Sequence, residues 1–298
     1  MFKGINIIEF TNSFPDENSC LKYLADLKWQ NGYVCKKCSH TNFCNGKKSY
    51  SRRCTKCKYD ESVLVGTIFE KIKFSLVKAF HIIFSTSTFK KGSSSYHLSR
   101  VLTLRQGTCW KFRRKTMETM KSSGKHLLKG NVEVDEFVIG GPEKGMRGRS
   151  HGNKRLVILA VEGNKQGIYR SYAKVVDNSS SKQIKPFFEE RISKEAKIKT
   201  DKWRGYKPLK KDYKNLRQVS SKHGKNFLRL HRHIMLLKGW MRGIHHSTTR
   251  EHLQSYLDEF NFRFNRINSL ETIFHNLVQR MINHAPFPYE KFKINRVR

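Results

Sequence analysis

The ten-residue segment VEVDEFVIGG, from Val132 to Gly141, constrains the fold of this chain more than any other stretch. Its apolar residues are spaced as in a β-strand, where successive side chains point to opposite faces. Asp135 then shares a face with Phe137 and Ile139. A carboxylate among large apolar groups is costly unless a cation or hydrogen-bond donors meet it. The segment therefore predicts a core strand that carries a functional carboxylate, and its neighbour Glu136, on the opposite face, is expected to be structural.

The residues that follow predict the rest of a mixed sheet. Leu156 to Val161 is a fully apolar strand, and Gly167 to Val175 is an alternating one. Ser180 to Ile192 has helical spacing, and Ala196 to Asp201 is a further strand that ends in a carboxylate. Three strands, a helix and another strand are how a sheet of the ribonuclease-H type begins. The predicted fold class is therefore α/β, with a ribonuclease-H-like mixed-sheet core.

Asp135 and Asp201 are the candidate metal ligands of this core. Asp201 ends its strand just before a turn at Gly205, and α/β sheets place reactive groups at such strand ends. Carboxylates on neighbouring strands can share Mg²⁺, which takes oxygen ligands and bridges to phosphate. Two such ions, about 3.5 to 4 Å apart, would activate an attacking oxygen and stabilise a leaving one. The alternative for Asp201 alone is a turn-forming or helix-capping residue.

Four cysteines predict a zinc ribbon near the N-terminus. Cys35 and Cys38 form one CxxC knuckle, and fifteen residues later Cys54 and Cys57 form another. This spacing puts four thiolates within reach of one tetrahedral Zn²⁺. Disulfides are not favoured, because nothing marks the chain as secreted. The other cysteines are interpreted as non-ligands: Cys20, Cys44 and Cys109.

The charge of the chain indicates a polyanionic partner. Lys plus Arg number 60 against 24 for Asp plus Glu, which gives a formal net charge of +36. The excess is spread over the whole length, so folded surfaces repel one another unless nucleic acid neutralises them. Charge alone does not separate a DNA enzyme from a merely basic protein, such as a ribosome-associated one.

A helical segment between the ribbon and the sheet has the outline of a helix-turn-helix. Ser95 can cap a short helix, and after a break Thr108 to Met120 forms a basic helix. Lys111, Arg113 and Arg114 are the candidate DNA contacts on it. Plain helical pairs share this outline, and the net charge favours the DNA-binding interpretation.

The sequence also predicts the cellular location of the protein and the contacts of two further basic segments. No apolar stretch approaches the roughly 20 residues that cross a bilayer, and the N-terminus lacks a signal-peptide pattern. We therefore expect a cytoplasmic, nucleoid-associated protein without a membrane partner. The glycine-rich basic loop at 142–155 is expected to contact phosphate, and the tail at 286–298 to lie on DNA or another subunit.

Several motifs resemble those of a known family. VEVDEFVIGG, TDKWRGY (Thr200 to Tyr206) and LLKGWMRGIHHSTTREHLQSYLDEFNFRFNR (Leu236 to Arg266) resemble the successive motifs of IS1595-group transposases, whose catalytic region is called ISXO2-like. The cysteine ribbon resembles the one ahead of that region. The resemblance implies a DDE-type core of the ribonuclease-H-like, retroviral-integrase-like class. It also implies strand cleavage and joining at terminal inverted repeats and target DNA, by a homo-oligomer on double-stranded DNA.

The resemblance also implies roles for individual residues. Asp135 and Asp201 look like the first two catalytic carboxylates, and Lys238 like the basic residue after the third position. His231 stands where the family pattern often has Glu and where some members have Asn or His. Imidazole is a poor ligand for Mg²⁺ and a better one for Mn²⁺, so either ion is an expected cofactor. Three carboxylates remain rivals for the third ligand: Glu251, Asp258 and Glu259.

Helical geometry is consistent with this placement. From Leu230 onward an apolar stripe recurs at helical spacing, whereas His231, Lys238 and Arg242 fall on another face at spacings of seven and four. Two cations beside a metal-facing group suit a DNA phosphate. The alternative is that His231 belongs to a solvated basic helix.

The predicted division has four parts: a helix and zinc ribbon at 1–62, a helix-turn-helix-like segment at 63–128, a catalytic domain at 129–285 and a basic tail at 286–298. The predicted function is that of an insertion-sequence transposase. Two alternatives stay open, a DNA-binding protein of the same architecture that has lost catalysis, and a structure-selective nuclease that cleaves without joining.

Overall fold

The computed structural model describes residues 1–140, 154–245 and 248–288. Most of the basic loop at 142–155 and residues 289–298 of the tail lie outside these ranges, so the contacts expected of them stay predictions. The chain contains two compact units, Met1–Met120 with Asn268–Arg298, and Lys121–Ile267. Within the described ranges, no helix is both long and apolar enough to cross a membrane.

The helices of the described residues are α1 (Ile7–Ser13), α2 (Glu17–Lys28), α3 (Leu76–Thr88), α4 (Ser95–Leu102), α5 (Gln106–Glu118), α6 (Ser181–Arg191), α7 (Leu228–Ile244), α8 (Arg250–Phe264) and α9 (Leu270–Asn283). The strands are β1 (Phe43–Asn45), β2 (Arg52–Cys54), β3 (Asp60–Glu61), β4 (Asn131–Ile139), β5 (Arg155–Asn164), β6 (Gly167–Val176), β7 (Lys197–Thr200) and β8 (Leu216–Gln218).

The unit at Lys121–Ile267 contains a five-stranded sheet in the order β6-β5-β4-β7-β8. The pairs β4–β5 and β5–β6 are antiparallel, whereas β4–β7 and β7–β8 are parallel. The parallel pairing of β4 with β7 brings the middle of β4 beside the C-terminal end of β7, although the two segments are distant in the chain. The predicted mixed α/β sheet is confirmed.

One face of this sheet packs on α6 and on the turn after β7. Val132 and Val134 of β4 and Ile198 of β7 are almost fully buried there, against Phe187 and Phe188 of α6. Each fully buried side chain of this size contributes about 1.5 to 3 kcal/mol relative to exposure. The alternation of β4 therefore fixes its register, because a shift by one residue would turn Asp135 into this core.

The edge strand β6 is covered by polar side chains of α8 and of Asn265, the residue that caps the C-terminus of that helix. Asn265 accepts a hydrogen bond from the Ser171 N–H (2.8 Å) and donates one to the Ser171 carbonyl (2.9 Å). Gln254 accepts from the Val175 N–H (2.9 Å) and donates to the Ala173 carbonyl (3.2 Å). These amides satisfy backbone groups that an open edge would expose to pairing with another chain.

The unit at Met1–Met120 with Asn268–Arg298 joins the ribbon to a helical core. β1, β2 and β3 form a small antiparallel sheet. Phe10 stacks on Phe84 at 4.1 Å between ring centroids, and Phe274 of α9 packs edge-on against both rings. By its contacts α9 belongs with the N-terminal helices, although the predicted boundary at 285 assigns it to the catalytic part. The division by function stays a prediction.

Candidate active site and metal centre

Asp135 in the middle of β4 and Asp201 directly after the end of β7 lie next to each other. Val134 pairs with Thr200 in the parallel register, so the two aspartates are the next residues on each strand. Both side chains point to the sheet face opposite the α6 core, because that core holds Val134 and Thr200. The structure therefore brings the two predicted carboxylates side by side on one face of the sheet.

The surroundings of Asp135 are poorly solvated. Its side chain is 20 % exposed, and its antiparallel partner Leu159 is fully buried. Burial raises the pKa of Asp135, the Glu136 N–H lowers it through a 2.8 Å hydrogen bond, and the Asp201 charge raises it further. The net shift of the Asp135 pKa is upward, and a cation bound beside the carboxylate would oppose it.

Asp201 is held by the turn that follows it. Its carboxylate accepts a hydrogen bond from the Trp203 N–H at 2.9 Å. The Gln218 amide on β8 donates to the carbonyls of Asp201 (3.2 Å) and Trp203 (2.8 Å). The turn-forming role considered for Asp201 is therefore real, and it also fixes the carboxylate beside Asp135.

Helix α7 brings His231 to Asp135. The imidazole Nε2 lies 3.4 Å from Asp135 Oδ2, and His231 is in the first turn of the helix. The apolar stripe is buried as its spacing indicates: Leu230, Ile234, Leu237 and Met241. Lys238 Nζ lies 5.3 Å from the centroid of the Phe137 ring, on the same sheet face as Asp135. Burial, then the Arg242 charge, lower the pKa of Lys238, while Arg242 itself is exposed.

The rival third ligands have other partners. Glu259 is fully buried, with its carboxylate 3.7 Å from His245 Nε2. Asp258 accepts a hydrogen bond from Gln254 at 3.1 Å, and Glu251 is exposed in the first turn of α8. Of the four candidates, His231 is the one that contacts Asp135 in the described part of the chain. Its role as a ligand stays a prediction.

The Cys35, Cys38, Cys54 and Cys57 thiols converge as the spacing predicts. Their sulfur atoms all lie within 4.8 Å of one another, with Cys35–Cys57 at 3.5 Å and Cys38–Cys54 at 3.6 Å. Sulfurs around a tetrahedral Zn²⁺ are about 3.8 Å apart, given Zn–S bonds near 2.3 Å. Burial disfavours the Cys35 thiolate, but hydrogen bonds from the N–H groups of Lys37 and Cys38 and from the thiols of Cys57 and Cys38 together lower the pKa of Cys35 to about 6.

This cluster fits a metal more tightly than the carboxylate site does. Among the described residues, it is the one group of three or more potential ligands whose atoms come so close together. Asp135, Asp201 and His231 are more widely spread. Cys44 is exposed, and Cys20 and Cys109 are buried, all three outside the cluster.

The predicted DNA contacts on α5 differ in accessibility. Lys111 is exposed, whereas Arg113 and Arg114 are only 4 % and 8 % exposed. The helical spacing did not reveal that these two arginines lie on the inner face of α5. Their burial disfavours a phosphate contact in this conformation, and Lys111 remains accessible.

Sequence reasoning missed three residues near the site. Lys199 lies two residues before Asp201 on the same sheet face, and Gly224 contacts the His231 ring. Tyr206 is fully buried in the α6 core, and its pKa is raised well above the usual value by burial and by the charges of Glu136, Asp135 and Asp201, in that order. The strand period could have signalled Lys199. No local pattern could have signalled the contact of Gly224.

Comparison with known proteins identifies the domain that contains these residues. Residues 127–265 match the ISXO2-like transposase domain of the IS1595 family. The match confirms the resemblance seen in the motifs, and it supports a transposase. It includes β4 to β8, α6, α7 and α8, and with them Asp135, Asp201, His231 and Lys238.

Two solved structures of Mos1 transposase are also similar to this chain. One is a pre-cleavage Mos1 transpososome, at 10 % identity and a TM-score of 0.30, covering 67 % of this chain and 76 % of that one. The other is a paired-end complex with the left transposon end, at 11 % identity and a TM-score of 0.30, covering 66 % and 76 %. No curated protein sequence matches the chain.

Proposed function

We propose that this protein is a DDE-type transposase that binds the ends of its DNA element and catalyses metal-dependent strand cleavage and strand transfer. The observation that carries the proposal is the meeting of Asp135, Asp201 and His231 inside a transposase domain. Parallel pairing of β4 with β7 and the first turn of α7 supply this arrangement. The ribonuclease-H-like assignment of the core belongs to the same proposal.

The donor groups suit divalent cations. Asp135 and Asp201 offer hard oxygen ligands, and burial, with a smaller contribution from the Asp201 charge, raises the pKa of Asp135. These two residues, with His231 as the third, would hold Mg²⁺ or Mn²⁺. Bound ions of this kind supply activation of the attacking oxygen and charge stabilisation of the leaving one. The imidazole favours Mn²⁺ over Mg²⁺.

The cations of α7 are assigned to the DNA backbone. Lys238 is half-buried, and its ammonium lies over the Phe137 ring, on the side of the sheet that bears the aspartates. Arg242 follows one turn later and is exposed. A half-buried cation followed by an exposed one suits a scissile phosphate and its neighbour, because guanidinium groups bind phosphate through paired N–H donors.

End recognition is assigned to the N-terminal unit. Four thiolates would hold one Zn²⁺ there, and the lysines around the knuckles, together with Lys111 on α5, are placed to neutralise phosphates. The formal charge of +36 supports a double-stranded DNA partner. Terminal inverted repeats, target DNA and a multimer on the two element ends are the partners proposed.

The test is strand cleavage and joining on a labelled duplex made from the terminal repeats that flank the gene. Wild type is compared with Asp135→Asn, Asp201→Asn and His231→Ala in Mg²⁺ and in Mn²⁺. Asp212→Asn is the matched control, because Asp212 is a surface aspartate paired with Lys185 at 3.1 Å. The proposal is supported if the three site variants lose both cleavage and joining while Asp212→Asn keeps them.

Other outcomes separate the alternatives. Activity retained in His231→Ala but lost in Asp201→Asn moves the third ligand elsewhere. Binding without cleavage in either metal favours a DNA-binding protein, which His231 in place of Glu makes a specific second candidate. Cleavage without joining favours a nuclease.

A further inference from the structure

The loop between β8 and α7 is strained beside the candidate active site. Lys222, His223 and Gly224 have φ values of 46°, 53° and 86°, three successive residues in the left-handed region. Residues other than glycine rarely adopt this conformation, and it persists only where surrounding contacts enforce it. Such strain often marks a segment that positions a functional group.

The backbone of Gly224 lies directly against the His231 ring. A Cβ atom at position 224 would lie 2.6 Å from His231 Nδ1 and 2.7 Å from Cε1, closer than real Cβ contacts. The ring therefore rests on the backbone of Gly224, while Nε2 faces Asp135 at 3.4 Å. The absence of a side chain at position 224 lets the imidazole reach this place.

Lys199 anchors the same loop to the sheet. Its ammonium pairs with Glu133, its cross-strand partner, at 2.5 Å, and donates to the Asn226 carbonyl at 2.7 Å. It also lies 4.9 Å from the centroid of the Phe227 ring, directly before α7. Glu133 and Lys199 each lie two residues before an aspartate, Asp135 and Asp201 respectively. The contacts of Lys199 therefore connect β4, β7 and the start of α7 close to the two aspartates.

We propose that Lys199 and Gly224 are positioning residues, which hold the loop at 219–227 so that His231 faces Asp135. Neither residue touches the reacting atoms. The inference rests on the proposed function for its effect on catalysis, but the position of the ring is measurable without any activity.

The first experiment measures the imidazole directly. Full-length protein labelled with ¹⁵N at histidine is studied by long-range ¹H–¹⁵N correlation spectra, with His231 assigned through His231→Gln. Gly224→Ala is expected to shift the His231 ring resonances. Gly124→Ala is the matched control, because Gly124 has a φ of 74° in the same unit and nothing within 4 Å of an added Cβ. Unchanged His231 resonances in Gly224→Ala, or equal shifts in both variants, would overturn the role of Gly224.

The second experiment tests the anchor. Lys199→Met is expected to shift the His231 resonances and to lower kcat for strand cleavage by about 10- to 100-fold, with KM for DNA unchanged. Lys199→Arg is expected to keep the His231 resonances and kcat of wild type, because a guanidinium can pair with Glu133 and still donate to a carbonyl. Lys174→Met, which breaks the exposed Lys174–Glu190 pair (3.0 Å), is the control for a lost ion pair.

The readouts distinguish the two proposals. A wild type without cleavage would remove the proposed function, yet shifted His231 resonances in both variants would still support the positioning role. If Lys199→Met keeps the His231 resonances and the kcat of wild type, the positioning role of Lys199 is overturned.

Discussion

The imidazole Nε2 of His231 lies 3.4 Å from Asp135 Oδ2, although the two residues are 96 positions apart in the chain. The contact joins the middle of the central strand to the first turn of α7. It brings a nitrogen donor to the carboxylate whose pKa is raised by burial. The ability of this site to bind a cation therefore depends on how α7 is held against the sheet.

Asp135→Asn is expected to stabilise the metal-free protein near neutral pH. The pKa of Asp135 in the folded protein is raised above its ordinary value of 3.8, so the folded state binds more protons in the window just above 3.8 and stability falls as pH rises through it. The penalty is absent at more acid pH. Urea unfolding of wild type and variant across this range measures the gap, which should close toward acid. A gap that widens toward acid would contradict the assignment.

Divalent cations are expected to make wild type more stable than Asp135→Asn, the reverse of the order in the metal-free protein. At a concentration of 100 times Kd, Mn²⁺ should stabilise wild type by about 2.7 kcal/mol and leave Asp135→Asn almost unaffected. Thermal unfolding with and without Mn²⁺ measures the effect, and Asp212→Asn should respond like wild type. An equal rise in Tm for Asp135→Asn would place the ion elsewhere.

Cys54→Ser is expected to remove zinc from the ribbon. Wild type should contain one Zn²⁺ per chain, because four thiolates form one tetrahedral cluster. The variant should lose the metal and the order of the two knuckles, since such small arms fold only with it. Metal content by mass spectrometry and digestion by protease measure both effects. Cys44→Ser, an exposed cysteine outside the cluster, is the control and should keep its zinc.

Lys111→Ala is expected to weaken DNA binding uniformly across sequences. Loss of one phosphate contact should reduce the slope of log K against log salt by about 0.9. Arg114→Ala should instead lower Tm, because that side chain is 8 % exposed and packs in the helical core. Fluorescence anisotropy at several salt concentrations, with thermal unfolding, distinguishes the two. If the slope of log K against log salt in Lys111→Ala equals that of wild type, Lys111 of α5 does not contact DNA phosphate.

Asn265→Ala is expected to destabilise the five-stranded sheet. The variant loses both hydrogen bonds to the Ser171 backbone and leaves an edge strand partly uncovered, at a cost of about 1 to 3 kcal/mol. Urea unfolding measures the loss. Asn276→Ala, an exposed asparagine on α9, is the control and should change stability by less than about 0.5 kcal/mol.

Much of the fold was predictable because its signals are local. The alternation around Asp135 predicted β4, and the stripe from Leu230 to Met241 predicted the buried face of α7. The spacing of the four cysteines predicted their cluster. Local spacing did not give the orientation of α5, because Arg113 and Arg114 look like surface residues in any helical pattern, yet they lie on the inner face.

The sequence by itself determined which carboxylates, thiols and cations are present, and on which strands and helices they lie. Only the tertiary structure decided that Asp135 and Asp201 end side by side, because the parallel pairing of β4 with β7 is a long-range choice. It also decided that Lys199 contacts the loop before α7, that Gly224 of this loop lies against the His231 ring, and that His231 faces Asp135. The physical reason is that hydrogen-bond register and side-chain packing act between segments distant in sequence, where no periodicity of a single segment records them.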